Sequence, residues 1–103
     1  ITNELQSGIT LSNSAYDIAI NPNNGDVYVS YSDAAKVDIW SVSNFTNSPT
    51  YTIDISKSNW PSSNITSTGK MIFNDFEDDM YITTNDGYVL RINTTRDIQT
   101  SYQ

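Results

Sequence analysis

Slid along itself by 53 residues, the chain matches without a gap: Tyr28 falls on Tyr81, Ser14 on Ser67, Asn21 on Asn74, Asp26 on Asp79, Asp33 on Asp86 and Ile39 on Ile92. The apolar positions keep the same phase, Ile18 meeting Met71, Ile20 Phe73, Val27 Met80, Val29 Ile82 and Val37 Leu90. A repeat of this length limits the choice of fold more than any other feature, because a repeated supersecondary unit must bury its faces against a neighbour. It predicts two copies of one unit, over 14–56 and 67–103, within a single domain or fragment spanning 1–103.

Period-two alternation runs through most of the chain and no segment carries a sustained 3.6-residue apolar stripe, so both units are all-β. Strands are predicted over 8–11, 16–20, 26–31, 36–40, 51–55, 70–73, 80–84, 88–92 and 98–102. Asn24-Gly25 and Asp86-Gly87 each separate two alternating runs, and such dipeptides close type I′ hairpins. The stretch 56–68, with Pro61 and many Ser and Asn, reads as the connection between units, and a second break lies at 43–49. Adding 53 to the fourth strand of the first unit runs past Gln103, so the second unit is expected to lack its outer strand. The segment 8–12, with Ile9 and Leu11, is expected to supply it, within the chain or by donation to a neighbour.

The run Asp17-Ile-Ala-Ile-Asn-Pro-Asn-Asn-Gly-Asp-Val-Tyr-Val-Ser30, followed by Lys36-Val-Asp-Ile-Trp40, resembles a blade of the YVTN or NHL-like β-propellers. Met71-Ile-Phe-Asn74 and Met80-Tyr-Ile-Thr-Thr84 repeat it in degenerate form, with Glu77-Asp78-Asp79 in place of the Asn-Gly-Asp turn. The resemblance implies two propeller-like antiparallel blades; no Trp-Asp pair supports the WD40 type, and a blade fixes no function. Closed propellers use about four to eight blades, so two alone leave apolar faces to cover. The chain is then a piece of a longer propeller, a ring completed by oligomerisation, or a small β-sandwich, which is the alternative fold.

A net charge of −7 disfavours nucleic acid and anionic lipid as partners. The absence of Cys and His removes thiolate chemistry, disulfides and the commonest general base and metal ligand, so the chain is read as non-catalytic with no cofactor. No apolar run reaches the ~20 residues a membrane helix needs, so membrane insertion is not expected. An abundance of Asn, Ser and Thr with few Lys or Arg points outside the cell or to its surface. Opening on Ile1, the sequence reads as a mature product or an excised fragment.

Asn44, Asn64 and Asn93 each begin an N-glycosylation sequon. Asp75, Glu77, Asp78 and Asp79 form the densest carboxylate cluster, but their spacing fits no EF-hand loop and they read as a solvated turn. The aromatics, Tyr16, Tyr31, Trp40, Tyr51, Tyr88 and Tyr102 among them, suit sugar stacking or, more simply, strand packing. Trp60, beside Pro61, is expected to plug the gap between sheets or meet a partner, so Ile9, Leu11 and Trp60 are the candidate partner-binding residues. The function these features suggest is an extracellular recognition or adhesion module binding protein or glycan. The alternatives are a structural subunit of a surface filament and a fragment of a larger propeller enzyme. Self-association or another extracellular protein is the expected partnership.

Overall fold

The computed structural model describes residues 8–55, 65–74 and 79–93, together with the backbone of 98–102. Eight of the nine predicted runs form strands, β1 (Ala15–Ile20), β2 (Val27–Tyr31), β3 (Lys36–Trp40) and β4 (Tyr51–Asp54), then β5 (Thr68–Asn74), β6 (Asp79–Thr84), β7 (Val89–Ile92) and β8 (Ile98–Tyr102), whereas 8–11 joins no sheet and forms none. The protein is all-β, with two antiparallel sheets of order β1-β2-β3-β4 and β5-β6-β7-β8. Within each sheet every strand pairs with its sequence neighbour, as short connections favour.

The repeat is visible rung by rung. In the first sheet Ala15, Ile18, Ala19 and Ile20 pair with Tyr31, Val29, Tyr28 and Val27. In the second, Thr68, Met71, Ile72 and Phe73 pair with Thr84, Ile82, Tyr81 and Met80. Every one of these rungs is related by 53, and both ladders carry an irregularity at the same place. Tyr28 and Tyr81 are therefore equivalent, as expected.

The offset then slips. Tyr28 pairs with Ile39 but Tyr81 with Arg91, so beyond the second strand the equivalence is 52 and Ile39 matches Arg91, not Ile92. One residue is missing from the second hairpin. In the first unit, Ser32 N–H donates to Ser14 O and Asp33 Oδ1 accepts from Ser14 N–H. In the second, Asn85 alone does both, its N–H reaching Ser67 O and its Oδ1 accepting from Ser67 N–H.

Neither turn is the expected two-residue type I′. Asn21 N–H bonds Asp26 O, closing a four-residue loop, and the Asn21 and Asn24 side-chain oxygens accept from the N–H groups of Asn23 and Asp26. Pro22 cannot donate, so the loop relies on those amides. Asn85-Asp86-Gly87 is a three-residue loop with Gly87 N–H on Thr84 O. Gly25 and Gly87 sit at φ +81° and +94°, and this is the part of the sequence signal that holds.

The outer strand of the second sheet is β8, which pairs with β7. It fills the place assigned to 8–12, and Ile9 and Leu11 instead pack on the first sheet against Val29, Tyr31 and Trp40. The connection before β8 is shorter than the one before β4, so adding 53 overshoots it.

Among the described residues the larger hydrophobic core lies between the sheets. Tyr28, Val37, Ile39, Ile53 and Ile55 from the first meet Met71, Met80, Ile82, Leu90 and Ile92 from the second. Calling the side of each sheet that carries Val29 or its equivalent Ile82 the front, and the side that carries Tyr28 or Tyr81 the back, the back of the first sheet packs on the front of the second. Like faces do not meet.

Candidate functional site

The sheets touch chiefly where β5 runs against β1 and β2. Phe73 stands edge-on to Tyr28, ring centroids 4.9 Å apart at 83°. Asp17 Oδ2 accepts from Met71 N–H at 2.8 Å, Ser30 Oγ donates to Gly69 O at 2.6 Å, and the Thr68 hydroxyl accepts from Tyr31 N–H and donates to Lys36 O, both at 3.0 Å. The first two satisfy backbone groups on the edge of β5, and the Thr68 hydroxyl satisfies those of Tyr31 and Lys36 in the first sheet.

Because the stacking is back to front, it leaves two unlike ends. On the front of the first sheet Ile18 is 63% and Ile20 58% exposed, whereas Met71, the equivalent of Ile18, is 9% exposed, and Phe73, the equivalent of Ile20, packs on the core. An open hollow there is lined by Leu11, Ala15, Tyr16, Asp17, Ile18 and Val29. On the back of the second sheet Ile72 is 69% exposed, and a second hollow is lined by Lys70, Met71, Ile72, Tyr81, Ile82, Thr83 and Val89. Sequence comparison within the chain contained this signal, since it pairs Ile18 with Met71 and Ile20 with Phe73, but which face is covered is a long-range property.

A buried polar cluster, which sequence reasoning missed, lies under the N-terminal segment. Asp38 is buried; its Oδ2 accepts from the Tyr31 hydroxyl at 2.5 Å and its Oδ1 from the Thr52 hydroxyl at 2.7 Å. Lys36 Nζ stands 3.7 Å from Asp38, 5.2 Å from the Tyr31 ring centroid, and donates to Ser12 Oγ at 2.7 Å. Burial first, and then the bond to Asp38 and its charge, hold the Tyr31 phenol protonated well above the usual range. Both carboxylate oxygens are occupied by neighbours in the same sheet, so the cluster acts as a pin joining β2, β3, β4 and the N-terminal segment. Thr10 N–H on Asn47 Oδ1 adds a second attachment.

Asn44 lies exposed in the β3–β4 loop, its N–H on Ser41 O, with Phe45 against Trp40 at 6.2 Å. Asn93 is half-buried just after β7. Asn64, Trp60, Asp75, Glu77 and Asp78 lie outside the described residues. Asp79 is buried, 3.7 Å from Arg91 Nε, and among the described residues no group of acidic side chains is placed to hold a metal ion. Of the aromatics, Tyr31 and Trp40 are core and Tyr16 and Tyr51 are exposed. Comparison with protein-family models, with curated proteins and with solved structures finds no match to this chain.

Proposed function

We propose that the chain is a non-catalytic interaction module of two consecutive propeller-type blades, similar to those of the YVTN or NHL-like group, that binds protein through the open faces of its sheets. The observation that carries this reading is the exposure of Ile18, Ile20 and Ile72 at positions whose repeat equivalents pack between the sheets. The blade reading is supported by the meander order, the recurring register and the back-to-front stacking. A two-fold sandwich of repeats would bring like faces together. A place outside the cell or on its surface is supported by the neutral polar composition and the exposed sequon at Asn44.

A structural role in a surface filament is the second reading, favoured by the two unlike ends, since non-closing contacts between unlike surfaces build open arrays. Two measurements test the first. A glycan array probed with the chain is expected to stay blank, while a protein partner held by the wild type is released by Ile72→Lys. A sugar retained on the array and lost on Tyr16→Ala or Tyr51→Ala would make glycan the ligand instead.

A further inference from the structure

We infer that the open back of the second sheet receives β1 of another copy of this chain, so that copies join head to tail by repeating the part of the internal interface in which β5 lies on β1 and β2. The inference rests on reading the open faces as binding surfaces, and it names their partner.

Moving the internal interface along by one repeat puts β1 of a second copy where β5 lies and puts β5 and β6 of the first copy where β1 and β2 lie. Ile20 then takes the place of Phe73, and Tyr81 offers the ring that Tyr28 offers inside the chain. Ile18 takes the place of Met71, and Ile72 that of Ala19. These groups are apolar, and the three isoleucines are more than half exposed. Ile9 and Leu11 cover Val29, Tyr31 and Trp40, which confines the contact to β1, where Ile18 and Ile20 remain open. Charge favours the same contact through Lys70, one of the five cations in a chain of net charge −7, which lines the receiving face, whereas Arg91 is already paired with Asp79.

The joint between copies is weaker than the one within. Lys70 stands where Asp17 accepts the Met71 N–H, and Ala15 where Thr68 clamps Tyr31 and Lys36. The apolar contact is reproduced only where β1 replaces β5, since Arg91 stands at the place of Ile39 and Val29 and Trp40, at the places of Ile82 and Ile92, are already covered, so association is reversible and concentration-dependent. The surfaces are unlike, so the contact is heterologous and does not stop at a dimer unless a ring closes.

Sedimentation velocity from micromolar to millimolar concentration tests this on the wild type, Ile20→Lys, Ile72→Lys and an equimolar mixture of the two variants. The wild type is expected to grow in mass with concentration. Each variant has one spoiled end and loses at least about tenfold in self-association, because a lysine would be buried unpaired against an apolar face. The mixture recovers a one-to-one dimer and goes no further, because each variant supplies the end the other lacks. A single variant that dimerises as well as the wild type would show like-to-like pairing and overturn the inference, as would a wild type that stays monomeric at millimolar concentration. Far-UV circular dichroism checks folding, and Ile20→Thr with Ile72→Thr replaces the lysine pair should either unfold. A monomeric wild type whose foreign protein partner is still released by Ile72→Lys would remove the second copy yet keep the binding module.

Discussion

Tyr31 and Asp38 sit one above the other on the front of the first sheet, and the cost of separating them is set by what remains buried. Asp38→Asn leaves the Tyr31 hydroxyl facing an amide that cannot fill both acceptor roles, and is expected to cost about 1–3 kcal/mol in urea unfolding. The raised Tyr31 pKa has a pH consequence of definite sign. The folded chain holds the phenolic proton more tightly than the unfolded one, where it is lost near pH 10, so this residue's contribution is complete below about pH 10 and falls as pH rises above it. Melting temperatures between about pH 9 and 12 should therefore drop more steeply for the wild type than for Tyr31→Phe. Equivalent positions need not carry equal weight. Met71→Ala, at the buried joint, is expected to cost about 2–5 kcal/mol. Ile18→Ala, at the same place in the repeat but 63% exposed, should stay within about 1 kcal/mol.

At the scale of strands and turns, much was legible: the strand runs other than 8–11 and the rung-by-rung equivalence of β1-β2 with β5-β6 follow from alternation and a gap-free offset. A fixed offset cannot register a change in loop length. It therefore misplaced Ile92 once Asn85 had merged the duties of Ser32 and Asp33, and it missed β8 as the outer strand because the connection after β7 is short. Turn type failed for a local reason, since Pro22 and the Asn side chains favour a longer loop than the dipeptide alone suggests. The join between sheets depends on β5. Thr68→Val keeps the shape but removes a hydroxyl that serves Tyr31 N–H and Lys36 O, and should cost about 1–3 kcal/mol. Gly69→Ala should also destabilise, since a Cβ there would lie 2.5 Å from Thr83 Oγ1, and thermal unfolding of both variants checks the pair.

For the whole molecule, the sequence could not say which face of one unit meets which face of the other, because every strand pattern is compatible with either side inward until the other sheet is in place. Back-to-front stacking settles that and creates the two unlike apolar ends. Double-mutant cycles across the joint test it most directly. If the back of the first sheet meets the front of the second, Tyr28→Leu and Phe73→Leu will be coupled by about 0.5–1.5 kcal/mol, as an edge-on aromatic pair is. Tyr28→Leu and Tyr81→Leu, at equivalent positions on faces that do not meet, will be additive. Coupling between Tyr28 and Tyr81 with none between Tyr28 and Phe73 would mean that like faces meet, and would contradict the stacking from which the open ends are derived.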